Sequence, residues 1–322
     1  MAYNENEARE LVIRAGLLLL EKKLITRTWG NISARISDTE FIITPSGRAY
    51  DTLTPAELVK VNIHDLSYEG DIKPSSEKGA HAVGYALRSD VNFIIHTHQF
   101  YASAVCAEEK DTDFAPCAAY GLPGTKKLTE NIRKTVASNP GKNAFLLAKH
   151  GALCLGKDMD SAFAQADLLE VNCRSLFEKR IALTDRKASS GTLFGIEKLY
   201  GSVLRDTDSA VMTVCAQGRE LRAYLDDFAQ MIGPDIKTVL ADKNMAAAAL
   251  KGRNAVLLRN EGALCVAENE DDAEAVSMIL RKNCAAALYV QGKHPMGFAD
   301  AKVQRLVYLM KYSKQKNKGN AD

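Results

Sequence analysis

Residues 143–156 read NAFLLAKHGALCLG and residues 254–267 read NAVLLRNEGALCVA, with eight of the fourteen positions identical. A supersecondary unit that occurs twice constrains how a chain divides more than any local propensity does. The register continues without a gap, pairing Asp160 with Asp271, Asn172 with Asn283 and Cys173 with Cys284. A looser match upstream aligns EKGAHAVGYALRSDVNFIIHTHQ from Glu77 with EKLYGSVLRDTDSAVMTVCAQ from Glu197. The second half therefore reads as a partial, diverged copy of the first, with no second copy of residues 25–76. The small polar segment Lys187 to Thr192 (KASSGT) predicts a boundary, which gives one domain over 1–186 and another over 187–322.

Composition supports two packed domains. The chain has 322 residues, 46% hydrophobic and 25% charged, which excludes a disordered or collagen-like polymer. A formal net charge of +2 points to neither a nucleic-acid nor a membrane surface. The apolar run Ala15 to Leu20 is too short to span a bilayer and follows an acidic stretch, so no signal peptide is expected. Seven scattered cysteines without a CxxC pair suit a reduced, cytoplasmic chain with buried thiols. The basic run Lys311 to Lys318 reads as a solvated, frayed terminus.

Coarse structure alternates between helix and strand. Glu7 to Lys23 has helical apolar spacing, Ile32 to Thr44 reads as two strands around a polar turn, and Glu77 to Leu87 as a helix after Pro74-Ser75-Ser76. A strand over Val91 to His98, a helix over Lys126 to Ala137, a strand over Ala144 to Lys149 and a helix over Ser161 to Arg180 complete the first copy. The mixture predicts an α/β or α+β class with a central sheet.

Two histidines in the strand Phe93-Ile94-Ile95-His96-Thr97-His98 are one residue apart. Strand side chains alternate, so His96 and His98 project from one face about 6.6 Å apart, a spacing that a shared metal ion can bridge. Taken alone, HxH is weak, because polar strand faces carry histidines for many reasons. His150 ends a second apolar strand, before Gly151, where the chain can turn towards the first pair. The repeat supplies a control. At the position of His150 the second copy has Glu261, and the upstream match puts Val214-Cys215-Ala216 where HTH would fall. Residues needed for packing would persist with the frame, so loss of all three favours a function in the first copy and predicts no metal in the second.

Glu77 stands at a helix start, with His81 four residues on along the same face. Near a divalent ion a carboxylate is a ligand or a general base; the plainer reading is an acidic residue at a helix N-terminus. A glutamate recurs at Glu197, which keeps the plainer reading open. His81 reads as a residue behind the site rather than a ligand. Gly30-Asn31, Thr44-Pro45-Ser46-Gly47 and Ser75-Ser76 are small polar turns of the kind that receive phosphate, although each alone is an ordinary turn or cap.

In this order, GNISAR (30–35), ITPSG (43–47) with Tyr50, KPSSE (73–77), HTH (96–98) and AKHGAL (148–153) resemble the class II aldolase/adducin family over roughly residues 7–180. The resemblance implies a mainly antiparallel central sheet flanked by helices, followed here by the degenerate partial copy. It implies one divalent metal per chain, zinc as expected, held by His96, His98 and His150, with Glu77 as acid/base and fourth ligand. Asn31, Ser46, Gly47, Ser75 and Ser76 would then cradle the phosphate of a small sugar phosphate. Retro-aldol cleavage of a phosphorylated ketose through a metal-stabilised enediolate is the implied reaction, and a homo-oligomer the implied assembly.

Family epimerases tend to have Asp at the position of Glu77, which favours the aldolase reading. Epimerisation, dehydration or decarboxylation on the same metal site is the alternative, and a non-enzymatic adducin-like interaction protein the third reading. The loop that carries an active-site tyrosine in the family's fuculose-phosphate enzymes is shorter here. Tyr120 lies near the matching segment and is not assigned that role.

Overall fold

A computed structural model of the chain describes residues 2–183 and 200–316. The predicted boundary segment 187–192 and Glu197 lie outside the described residues. Residues 311–316 of the basic run continue the last helix, and its remaining two residues lie outside the described part. The chain forms two compact units, Met1–Ser175 and Leu176–Asp322.

The first unit contains, in order, α1 (Glu5–Glu21), β1 (Asn31–Arg35), β2 (Glu40–Ile43), β3 (Val59–Asn62), α2 (Lys78–Leu87), β4 (Phe93–Thr97), α3 (Phe100–Cys106), β5 (Cys117–Ala118), α4 (Lys126–Ser138), β6 (Ala144–Leu147), β7 (Gly151–Gly156) and, as far as Ser175, α5 (Met159–Arg180). Local chemistry explains the helix starts: Asn4 accepts from the Glu7 N–H at α1, and Thr125 from the Leu128 N–H at α4. α4 then buries Leu128, Ile132 and Val136 at four-residue spacing, one apolar stripe towards the sheet.

The seven strands form one sheet in the order β3-β2-β1-β4-β7-β6-β5. Every neighbouring pair is antiparallel except β5 and β6, the mainly antiparallel sheet expected. Phe41, Ile43, Ile94, Phe145, Leu153 and Leu155 from its strands form one core with Ala80, Val83, Leu128 and Ile132 from α2 and α4. Burial of that apolar area is the main source of stability, at about 25 cal/mol per Å².

The second unit contains β8 (Ser202–Asp206), α6 (Ser209–Gln217), β9 (Leu221–Arg222), α7 (Asp226–Met231), β10 (Asp235–Ile236), β11 (Thr238–Val239), α8 (Lys243–Ala249), β12 (Ala255–Leu258), β13 (Gly262–Ala267), α9 (Glu270–Tyr289) and α10 (Phe298–Lys316). Its four-stranded sheet has the order β11-β12-β13-β8, which repeats the run β5-β6-β7-β4 of the first. The pairing types repeat too: β11 is parallel to β12 as β5 is to β6, and the other pairs are antiparallel.

Strand register corrects one sequence expectation. Cys154 and Leu153 on β7 face Ile95 and His96, whereas Cys265 and Leu264 on β13 face Leu204 and Arg205. By register, then, His96 corresponds to Arg205, and His98 to Thr207. Val214-Cys215-Ala216, taken from the looser match, lie instead on α6. Short apolar runs look alike in a strand and in a buried helix, and the upstream match slid from one to the other.

Candidate metal centre

β4 is a central strand between β1 and β7, with His96 opposite Asn31 on one side and Leu153 on the other. Directly opposed residues share a face, so Asn31 and His96 project together towards α2. His98 follows β4 directly, its N–H bonded to the Leu24 carbonyl at 2.9 Å. His150 sits in the turn between β6 and β7, its N–H bonded to the Leu147 carbonyl at 3.0 Å. Two backbone features aim that turn. Lys149 adopts the left-handed region at φ 59°, and a Cβ on Gly151 would stand 2.2 Å from the Thr97 carbonyl oxygen. Only glycine admits so close an approach of β7 to the end of β4.

The three imidazoles converge, with ligand atoms all within 4.8 Å of one another. Nε2 of His96 lies 3.0 Å from Nε2 of His98 and 3.0 Å from Nε2 of His150. Two nitrogens on one tetrahedral zinc at about 2.0–2.1 Å stand about 3.3 Å apart, close to these separations. Glu77, which immediately precedes α2, completes the group: its Oε1 is 2.9 Å from His150 Nε2 and its Oε2 3.3 Å from His96 Nε2.

Proton inventory favours a cation here. His96 Nδ1 faces the Ala152 carbonyl at 2.9 Å; a carbonyl only accepts, so Nδ1 carries the proton and Nε2 presents its lone pair to the centre. Burial pushes His96 down to about 4, with His150 adding to the fall while Glu77 and the Ala152 carbonyl oppose it. Burial alone would raise Glu77, but His96, His150 and His98 outweigh it and hold its carboxyl well below the usual carboxylate range. An unprotonated Nε2 such as that of His96, beside an ionised carboxylate, is a donor that a divalent ion takes.

Of the predicted phosphate residues, Asn31 bonds the Glu77 carboxylate and Ser75 the Glu77 backbone, while Ser46, Gly47 and Ser76 lie on the turns beside them. Ser46 N–H bonds the Lys73 carbonyl and Ser75 N–H the Thr44 carbonyl, which binds the turns at 44–47 and 73–76 together. Ser75 Oγ accepts from the Glu77 N–H at 3.2 Å. Ser76 and Gly47 are exposed, Ser46 half-buried and Ser75 buried. Asn31 donates from Nδ2 to Glu77 Oε2 at 2.8 Å, so its amide serves the carboxylate directly. Tyr50 is buried and donates to the Gly30 carbonyl at 2.9 Å, bracing the turn that carries Asn31. Tyr120 is half-buried on the loop after β5, where its carbonyl accepts from Asn131.

Sequence reading passed over Ser33 and Tyr85, both fully or nearly fully buried between β1 and α2. Ser33 Oγ lies 2.7 Å from His81 Nδ1 and 2.7 Å from the Tyr85 hydroxyl. The one signal for Tyr85 was its four-residue step from His81.

A buried three-histidine cluster with an adjoining carboxylate, on a mainly antiparallel sheet, defines a class of proteins equipped to hold a divalent ion. The family model for the class II aldolase and adducin N-terminal domain matches residues 10–177, and the chain belongs to that family. It is 29% identical over 191 residues to a 5-deoxy-D-ribulose 1-phosphate aldolase of Bacillus thuringiensis, covering 56% of this chain and 88% of the relative. It is equally identical, at 29% over 200 residues, to a 3-oxo-tetronate 4-phosphate decarboxylase of Pectobacterium atrosepticum, covering 57% and 88%. A solved L-fuculose 1-phosphate aldolase shares the fold at a TM-score of 0.50 and 27% identity, over 56% of this chain and 91% of that one. Among the described residues no helix is long and apolar enough to cross a membrane.

Proposed function

We propose that this chain cleaves a carbon–carbon bond in a small phosphorylated ketose by metal-dependent retro-aldol chemistry, with zinc as the ion. The convergence of three buried imidazoles on the Glu77 carboxylate is the observation that supports this most. His96, His98 and His150 hold the ion, with Glu77 as a further ligand at rest. When bound, a divalent ion supplies Lewis-acid stabilisation of negative charge that develops on a substrate oxygen. Glu77, ionised at neutral pH, is in the state of a general base and returns the proton as an acid at the carbon left electron-rich by cleavage. The hydroxyls of Ser46, Ser75 and Ser76 and the backbone N–H groups of Gly47 and Ser76, with the Asn31 amide, orient the phosphate at the start of α2. The second unit serves as a scaffold without a metal site, in a cytoplasmic homo-oligomer.

Decarboxylation of a phosphorylated 3-oxo acid is the second reading, favoured by the equal identity to the 3-oxo-tetronate 4-phosphate decarboxylase. Both reactions break a carbon–carbon bond and pass its electron pair towards a carbonyl oxygen. They differ in the fragment lost, an aldehyde in one and carbon dioxide in the other.

Elemental analysis of the wild type and His150→Ala, followed by a substrate panel scored for both fragments, tests the proposal. About one equivalent of zinc in the wild type, lost in the variant, is expected. Aldehyde release from a ketose phosphate supports the first reading, and carbon dioxide release the second. A wild type that takes up no metal after zinc reconstitution would sink both.

A further inference from the structure

We infer that His81 is a positioning residue for Glu77, the central link of a one-way hydrogen-bond chain running from Tyr85 through Ser33 and Asn31 to the carboxylate. The inference rests on the reading that Glu77 moves the proton. Its geometric basis is a match of two repeats. Glu77, His81 and Tyr85 follow at four-residue steps, each about 6.0 Å along a helix axis. Asn31 and Ser33 alternate on the α2-facing side of β1, about 6.6 Å apart. The two rows interleave: Tyr85 hydroxyl to Ser33 Oγ at 2.7 Å, Ser33 Oγ to His81 Nδ1 at 2.7 Å, His81 Nε2 to Asn31 Oδ1 at 2.5 Å, and Asn31 Nδ2 to Glu77 Oε2 at 2.8 Å.

Chemistry sets the direction of every link. A carboxylate accepts only, so the Asn31 N–H must face Glu77 and the amide oxygen must face His81. His81 therefore carries its proton on Nε2, and Nδ1 accepts from the Ser33 hydroxyl. Ser33 in turn accepts from Tyr85. His81, Ser33 and Tyr85 are at most 2% exposed, so no solvent shell competes with these bonds. The outcome at the site is an asymmetric carboxylate. Oε2 is capped by the amide, while Oε1 points at His150 and is the oxygen placed to exchange a proton. Without a donor at His81, the Asn31 amide could turn its own oxygen towards Glu77 and exchange attraction for repulsion.

Two variants separate positioning from simple core filling. In His81→Gln the terminal amide N–H stands near the place of Nε2–H and still reaches Asn31; the shorter His81→Asn reaches only towards Ser33. The Gln variant should keep kcat within about threefold of wild type, and the Asn variant should lose roughly ten- to a hundredfold in kcat, the effect of one charge-assisted hydrogen bond. KM and metal content should stay at wild-type levels in both. Equal losses in the two, or a loss confined to KM, would overturn the inference. A readout independent of turnover is the tautomer of His81 in nitrogen-labelled wild type, assigned by its absence from the Gln variant. A proton on Nε2 supports the chain, and one on Nδ1 breaks it. Should no substrate be turned over, the reading of Glu77 fails while the tautomer still decides the chain.

Discussion

The turn that carries His150 in the first unit and the turn that carries Glu261 in the second share a backbone and differ in chemistry. Both enter through a left-handed residue, Lys149 at φ 59° and Asn260 at φ 61°. Both close with the same bond, His150 N–H to Leu147 and Glu261 N–H to Leu258, each at 3.0 Å. In both a glycine lets the next strand approach: a Cβ on Gly151 would meet Thr97 O at 2.2 Å, and one on Gly262 would meet Asp206 O at 2.2 Å. At the positions of His96 and His150, however, the second unit holds Arg205 and Glu261, joined at 2.6 Å. An ion pair closes on itself, with its cation covalently attached. The three imidazoles and the carboxylate of the first unit contain no such attached cation, and their ligand atoms are close enough to share one from outside. Frame and chemistry are thus separable, because backbone sterics act on one set of residues and lone pairs on another.

Transplanting the second unit's residue into the first breaks the comparison most sharply. His150→Glu should remove metal binding and lower turnover by roughly three orders of magnitude, since the several kcal/mol of a Lewis acid vanish at about 1.4 kcal/mol per decade. Elemental analysis and steady-state rates check it; a variant that keeps its metal and its rate would show that the ligands lie elsewhere.

The shared frame makes the next prediction. Gly151→Ala and Gly262→Ala should each cost on the order of 2–4 kcal/mol, because a carbonyl oxygen must move aside. Gly262 also sits at φ +92°, so its alanine variant should be the worse of the two in chemical denaturation.

Acid should sharpen the contrast from the other side. Burial holds His81 down to about 3 and His96 to about 4, against about 6.5 for a histidine in the unfolded chain. Below about pH 6.5 the unfolded state binds protons that the folded site refuses, so stability is complete above that value and falls as pH drops towards 4. On the order of 3 kcal/mol should go with His96 alone in metal-free protein. Denaturation midpoints flat across that window would contradict it.

Smallest is the effect of opening the ion pair. Glu261→Gln should cost about 1 kcal/mol, since the pair is partly exposed, and should leave metal content untouched. Thermal melting and elemental analysis of this one variant read both halves of the statement.

The histidine cluster could be read before folding, because the HxH and His-Gly contexts stand out locally. The repeated NA-LL-GALC frame was legible for a similar reason: turn glycine and buried apolar positions leave little choice. Ser33 and Tyr85 were not legible. Serine and tyrosine are ordinary in a strand and a helix, and their role arises only where a four-residue helical step lies beside a two-residue strand step. Nor could the upstream part of the second copy be aligned, since Val211 to Cys215 and Phe93 to Thr97 are both short, mainly apolar runs and only strand pairing separates helix from strand.

By itself, then, the sequence determined which side chains are candidates to bind a cation, which turns demand glycine, and which half of the chain retains the histidines. Those are properties of single residues and near neighbours. Tertiary structure alone decided that Arg205 stands where His96 would, and that Asn31 bonds the carboxylate and His81. Both depend on register between elements distant in the chain, and register is set by the whole buried face of a sheet rather than by any one residue on it.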